Sequence, residues 1–154
     1  MLFTNLFKDQ LDRYIETDML AKKIQNSLRG SEDIILLVNA DDPSLVNMAQ
    51  DLPNSKYYYG IQTRITMEMD GYPKDSIFCK DCGARLIYTH LYYGQLGHYF
   101  CPKCGFSRPK PNIWADIQEN HDNRKLKIYS QNKDFTVEIE VGKEETYSLY
   151  NYLA

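Results

Sequence analysis

DIILLVNADDPSLVNMAQDLPNSKYYYGI, residues 33 to 61, decides the fold. Asp33 to Asn39 is a short continuous apolar run rich in β-branched residues, the pattern of a strand covered on both faces in a parallel sheet. Directly after it, Asp41 or Asp42 is placed to cap a helix. Pro43 then falls at the first helical position, where its fixed φ suits the turn and its missing amide hydrogen costs nothing. An apolar helix face follows through Leu52, and Lys56 to Ile61 reads as a second strand. Strand, turn, helix, strand in this order predicts a βαβ unit, hence a right-handed crossover and a parallel sheet.

Upstream, MLFTN reads as the last residues of a buried strand already pointing into a helix. The next stretch places Leu6, Leu11, Tyr14, Met19, Ile24 and Leu28 near helical spacing, as one helix or two broken near Thr17, with Gly30 as the stop. Downstream, Gln62 to Asp75 is polar and ambiguous, and the segment that follows holds every cysteine. Beyond it, PNIWADIQE, KLKIYSQ and FTVEIEV alternate apolar and polar residues, which predicts three antiparallel strands with turns at HDNR and NKD. The final GKEETYSLYNYLA begins like a helix with Glu144 and Glu145 in its first turn. The expected organisation is an α/β part over residues 1–75, an insertion over 76–108, and strands with the start of a helix over 109–154. Both ends read as cut from something larger, which would leave an exposed sheet edge and favour self-association.

The chain has 154 residues, 43% of them hydrophobic, enough for one domain with a real core. A net charge of −3 gives no electrostatic footprint for a long polyanion, so no nucleic-acid partner is expected. No apolar run has the length of a transmembrane segment, and MLFTNLFKDQ lacks the basic start and cleavage site of a signal peptide. The expected location is cytoplasmic. The 13 tyrosines lie mostly in β-like stretches, where aromatic rings pack on half-buried pleated surfaces.

The cysteines form two CxxC pairs, Cys79 with Cys82 and Cys101 with Cys104, at the separation of four-thiolate zinc ribbons. Each CxxC turn presents two sulfurs to one face of a tetrahedral ion, and zinc accepts four thiolates without redox change. Gly83 and Gly105 follow the second cysteine of each pair, where a knuckle turn calls for a residue tolerant of positive φ. Disulfides would suit a secreted chain, a redox CxxC would suit a strand-to-helix setting, and an iron–sulfur cluster commonly uses other spacings. Zinc is the reading that fits all the signals. Four thiolates close the coordination shell, so the metal is structural, a staple for a β-hairpin insertion too small to build its own core. His90 and His98 lie between the pairs and read as hairpin surface or packing residues rather than ligands, since four cysteines already suffice. A separate zinc-ribbon binding module, or an inactive remnant, is the alternative that these features leave open.

FTNLFKDQLDRY (residues 3–14), LLVNADDPSLVNMA (36–49), YYYGI (57–61), the ribbon ending in GHYFCPKCGF (97–106) and YNYLA (150–154) are each weak signals alone. In this order and spacing they resemble the central domain of the Mur ligase family, and the inserted ribbon narrows the resemblance to its MurT type. Gln10 stands where wider Mur ligases carry a histidine, a difference that the MurT type shares. The resemblance implies a segment of an ATP-dependent amide ligase that acts on the D-glutamate of the peptidoglycan stem peptide on lipid II, with ammonia from a GatD-type glutaminase partner. It implies Asn39, Asp41 and Asp42 near adenine and ribose, at the carboxyl end of a strand where ligands of open α/β sheets bind. It places Asn5, Asp9 and Asp12 near magnesium and phosphate, and matches Asn151 to an asparagine of a central-domain helix. No GTNGKT-like phosphate loop occurs in the sequence, so the chain alone is expected not to turn over ATP.

Overall fold

The local signals of residues 33 to 61 set the elements of a computed structural model, which describes residues 1–5, 14–63, 78–119, 124–132, 135–142 and 146–154. Strand β1 (Leu2–Phe3) precedes helix α1 (Tyr14–Leu28), strand β2 (Leu36–Asn39), helix α2 (Pro43–Gln50) and strand β3 (Lys56–Ile61). Asp42 is the cap of α2. Its carboxylate accepts the amides of Ser44 at 2.9 Å and Leu45 at 3.4 Å, with Pro43 beginning the helix. β1, β2 and β3 pair in parallel, as the βαβ reading predicts.

The remaining elements are strands β4 (Ile87–Tyr93), β5 (Leu96–Phe100), β6 (Ile113–Glu119), β7 (Arg124–Ser130) and β8 (Thr136–Val141), and helix α3 (Thr146–Leu153). One mixed sheet runs in the order β1-β2-β3-β6-β7-β8. β6 pairs parallel to β3, and β7 and β8 continue antiparallel, so the three late strands extend the same sheet. β4 and β5 form a separate antiparallel hairpin.

The period of two in each strand divides the core between the sheet faces. Leu36, Val38 and Tyr58 share the face covered by α1 and α2, together with Leu28, Leu45 and Met48. Leu37, Tyr59, Ile61 and Ala115 share the other face, where Leu149, Tyr150 and Leu153 of α3 pack beside Tyr92 and Leu96 of the hairpin. Burying a side chain such as the fully covered Leu149 contributes roughly 1.5–3 kcal/mol.

Several boundaries differ from the sequence reading. β2 begins at Leu36 rather than Asp33, because the amide of Ile34 bonds the Ser31 carbonyl in a turn and Ile35 faces solvent. β1 is an edge strand and its Leu2 is exposed, so it is not the buried strand expected. α1 runs unbroken through Thr17 and stops before Gly30, whose φ of 116° suits only glycine. Ala21, Ile24 and Leu28 turn inward, whereas Met19, although at helical spacing, is exposed. Leu6, Leu11, residues 121–123 of the HDNR turn, Glu144, Glu145 and most of the ambiguous stretch after Gln62 lie outside the described residues, and Arg124 already begins β7. No described helix is long and apolar enough to cross a membrane.

Candidate functional site

The loop that leaves β2 is a hydrogen-bonded cluster at the carboxyl ends of the parallel strands. Asn39 Oδ1 accepts the Asp41 amide at 3.0 Å, while its Nδ2 donates to the Thr4 carbonyl at 3.0 Å and to Asn5 Oδ1 at 3.1 Å. The asparagine thus ties the end of β2 to the end of β1. Asp41 is wholly buried. Its carboxylate pairs with Arg108 Nε, accepts the Ile61 amide at 2.8 Å and accepts the Tyr150 hydroxyl at 2.9 Å. Burial, and next the charge of Asp41, raise the Tyr150 pKa well above its ordinary value, so the phenol remains a neutral donor.

Glycine at position 60 is what lets this cluster close. A Cβ there would lie 2.7 Å from Arg108 Nη2 and 2.9 Å from Asp41 Oδ1. Arg108 spans two strand ends, since Nε pairs with Asp41 after β2 while Nη2 donates to the Ile61 carbonyl and Nη1 to Gln62 Oε1 at the end of β3, each at 3.0 Å.

The four thiols come together as their spacing predicts. Their sulfurs all lie within 4.8 Å of one another, with Cys79 and Cys104 at 3.5 Å and Cys82 and Cys101 at 3.4 Å. A tetrahedron with zinc–sulfur bonds of about 2.3 Å has sulfur–sulfur edges of about 3.8 Å, so the set fits a four-thiolate metal ion. The knuckles have the expected form. Gly83 and Gly105 take φ of 72° and 81°, and their amides bond the Cys79 and Cys101 carbonyls at 2.9 and 3.1 Å. Backbone amides of Cys104 and Lys103 directed at the Cys101 sulfur lower its pKa to about 6, whereas burial raises that of Cys79, and burial and the neighbouring thiols raise that of Cys104. His98 is a packing residue, as expected, with Nε2 on the Ile61 carbonyl at 2.8 Å and on the Tyr92 hydroxyl at 3.1 Å. Burial lowers its pKa.

The ribbon is fastened to the strand-end loop. Asp81, between the first two cysteines, accepts Asn47 Nδ2 at 2.6 Å and Gln50 Nε2 at 3.0 Å from α2. The Gly97 amide donates to the Asp41 carbonyl at 2.9 Å, and the Tyr99 hydroxyl to the Ala40 carbonyl at 3.3 Å.

Of the residues singled out from the sequence, the structure gathers Asn5, Asn39, Asp41 and Asp42 at one strand end, and Cys79, Cys82, Cys101 and Cys104 at one metal-sized cluster. Asn151 is exposed, on the helix turn that carries Tyr150. Asp9 and Asp12 lie outside the described residues. Arg108 and Tyr150 were missed. Arg108 pairs across 67 residues and Tyr150 across 109, and no local pattern marks either contact. Two neutral amides, a buried ion pair and one capping carboxylate can orient a bound group, but the chain carries no glycine-rich phosphate loop to activate one.

Comparison with known proteins places this geometry in context. The chain is 31% identical over 160 residues to the lipid II isoglutaminyl synthase (glutamine-hydrolyzing) subunit MurT of Staphylococcus aureus (strain COL), a match that covers 94% of this chain and 36% of that protein. It is 27% identical to the MurT subunit of Streptococcus pneumoniae (strain ATCC BAA-255 / R6), covering 99% of this chain and 33% of that protein. A pseudomurein peptide ligase type C from Methanothermus fervidus superposes with a TM-score of 0.70 at 28% identity, over 99% of this chain and 28% of the ligase. The chain therefore spans about a third of the length of the curated relatives that it matches. No family model matches it.

Proposed function

The chain is homologous to MurT over nearly its whole length, and from that kinship we propose that it is the central-domain segment of an ATP-dependent amide ligase of cell-wall synthesis. The ligase would phosphorylate the α-carboxylate of the stem-peptide D-glutamate on lipid II. Ammonia from a glutaminase subunit would then displace phosphate to leave the amide. The observation that carries the reading is the 94% coverage by a MurT sequence, with the VNADDP motif lying at a parallel strand end where ligands of α/β sheets bind.

In this reading Asn39, Asp41 and Asp42 shape the adenine and ribose end of the site. Asn39, Asp41 and Asp42 are all wholly buried, so their part would be to hold the loop and leave its backbone to face the nucleotide. Asn5, Asp9 and Asp12 form the magnesium and phosphate side, and Asn151 borders the site from α3. Residues 1–75 and 109–154 would supply the ligase scaffold and 76–108 the ribbon. Zinc at the four cysteines would supply folding energy to the ribbon and take no part in the reaction.

Isothermal titration of magnesium-ATP into the 154-residue chain and its Asn39→Ala variant tests the nucleotide site. Binding by the wild type that falls at least about tenfold in the variant supports the assignment. A wild-type chain that binds no ATP, or a variant that binds equally well, rejects it. Amidation of lipid II is expected only when the phosphate loop and the glutaminase are supplied. Turnover by this chain with the glutaminase alone would contradict the part assigned to it.

A further inference from the structure

We propose that Arg108 is a positioning residue through which the four-cysteine ribbon sets the Asn39–Asp42 loop, so that metal loading and loop geometry are thermodynamically linked. The path between them is short. The Cys101 amide bonds the Phe106 carbonyl at 2.6 Å, a bridge joins Phe100 to Ser107, and the Arg108 amide bonds the Tyr99 carbonyl at 3.0 Å. The second knuckle thereby fixes the backbone of Arg108. Its guanidinium then holds the Asp41 carboxylate and the Ile61 carbonyl, one from each strand end.

Arginine suits this bridge because its planar fork donates in several fixed directions, which a lysine cannot do. The first knuckle holds the helix that follows the loop, because Asp81 accepts Asn47 and Gln50 of the helix that Asp42 caps. The ribbon's own core is a small cluster around Cys79, Leu86, Tyr99 and Cys101. A unit of that size depends on its metal for order. Losing the metal releases Arg108, and a wholly buried Asp41 then loses its cation. Linkage is reciprocal: whatever binds the ordered loop tightens metal binding by the same factor. The consequence for ATP rests on the function proposed above, whereas the linkage between ribbon and loop does not.

Two amides report on Asp41 directly: Ile61, bonded to its carboxylate, and Gly97, bonded to its carbonyl. Their hydrogen exchange is measured by NMR in the zinc-loaded chain, after chelation, and in Arg108→Met loaded with cobalt(II), whose thiolate absorption confirms an intact site. Chelation is expected to speed exchange at Ile61 and Gly97 at least about tenfold while Leu126 in β7 is unaffected. Arg108→Met should keep the cobalt spectrum, lose the Ile61 protection and leave Ile61 exchange insensitive to chelation, and Arg108→Lys should recover only part of that protection.

Equal Ile61 exchange in Arg108→Met and wild type would overturn the proposal, as would a uniform rise across the sheet on chelation. If Arg108→Met fails to fold, the pair Arg108→Met with Asp41→Asn removes both charges. Ile61 exchange in that pair should be indifferent to chelation, and a response as large as wild type would sink the idea. ATP titrated into the zinc-loaded and chelated chains separates the two questions. A wild type that binds no ATP defeats the nucleotide reading, while the exchange data alone decide the linkage.

Discussion

Replacing Asp41 by alanine removes one acceptor from three donors at once: Arg108, the Ile61 amide and the Tyr150 hydroxyl. Removing one partner of a buried ion pair typically costs about 3–5 kcal/mol, because the other charge is left without compensation. The Arg108 side chain is 9% exposed, and it keeps its bonds to Ile61 and Gln62, which relieves part of that cost. Two buried neutral donors are orphaned as well, each worth about 1–3 kcal/mol alone, but they share the acceptor and their losses do not add. The net expectation is about 4–5 kcal/mol, a large share of the roughly 5–15 kcal/mol that holds a domain folded. At this chain length that corresponds to a fall in Tm of roughly 10–15 °C. Urea denaturation followed by circular dichroism measures it. The double variant Asp41→Ala with Arg108→Met should be more stable than Asp41→Ala alone, since the stranded cation has gone. A cost below about 1 kcal/mol for Asp41→Ala, or a double variant no better than the single, would mean that the carboxylate is solvated and the cluster is not a buried hub.

Gly60→Ala drives a methyl group against the same ion pair and should cost about 1–3 kcal/mol in urea melts; a neutral substitution would show that the Arg108–Asp41 contact has room to shift. Chelating the metal, or replacing Cys79 by serine, should lower the Tm and abolish a one-to-one zinc content measured by elemental analysis. An unchanged Tm would remove the structural role from the thiol cluster. His98 predicts a pH dependence. Its pKa in the folded chain lies below the ordinary 6.5, chiefly from burial, so the unfolded chain binds the proton more readily. Stability should therefore be level above that pH and decline as pH falls from about 6.5 toward the folded value. His98→Gln should remove that decline, and an unchanged profile in the variant would place its origin elsewhere.

The elements that sequence reveals are those whose signals are local. The Asp42 cap, Pro43 and the apolar run of β2 each act within a few residues, and so do the knuckle glycines at 83 and 105. Chemistry at long range is another matter. Asp81 reads as one more charged residue in a CxxC turn until α2 presents Asn47 and Gln50 to it from more than 30 residues away. Arg108 reads as a solvated arginine in a proline-rich stretch until folding brings Gly60 beneath it. Periodicity also overreaches where the fold supplies no partner. Met19 has helical spacing and Ile35 sits in an apolar run, yet among the described residues no element covers either and both are exposed. The late strands show the same limit. Their alternation reveals antiparallel pairing, but that β6 also joins β3 in parallel depends on Asn112, whose amide bonds the Tyr58 carbonyl at 2.7 Å and whose Oδ1 accepts the Tyr58 amide at 2.8 Å.

That parallel junction explains why the ribbon is tied into the site rather than appended to it. Adjacent parallel strands need a crossover that returns the chain along the sheet, and an α-helix normally provides it and covers one face. Between β3 and β6 the described part of the crossover is the hairpin of β4 and β5, with Tyr92 and Leu96 entering the core where helical side chains would otherwise pack. A two-stranded hairpin is marginal alone, so a crossover built from one needs a staple, which the four cysteines can provide. A crossover leaves its strand at the carboxyl end, which in this fold is also the edge that carries Asn39 and Asp41. The staple and the loop are neighbours because the topology gives the crossover no other place to begin, and Arg108 is the side chain that turns that proximity into a bond.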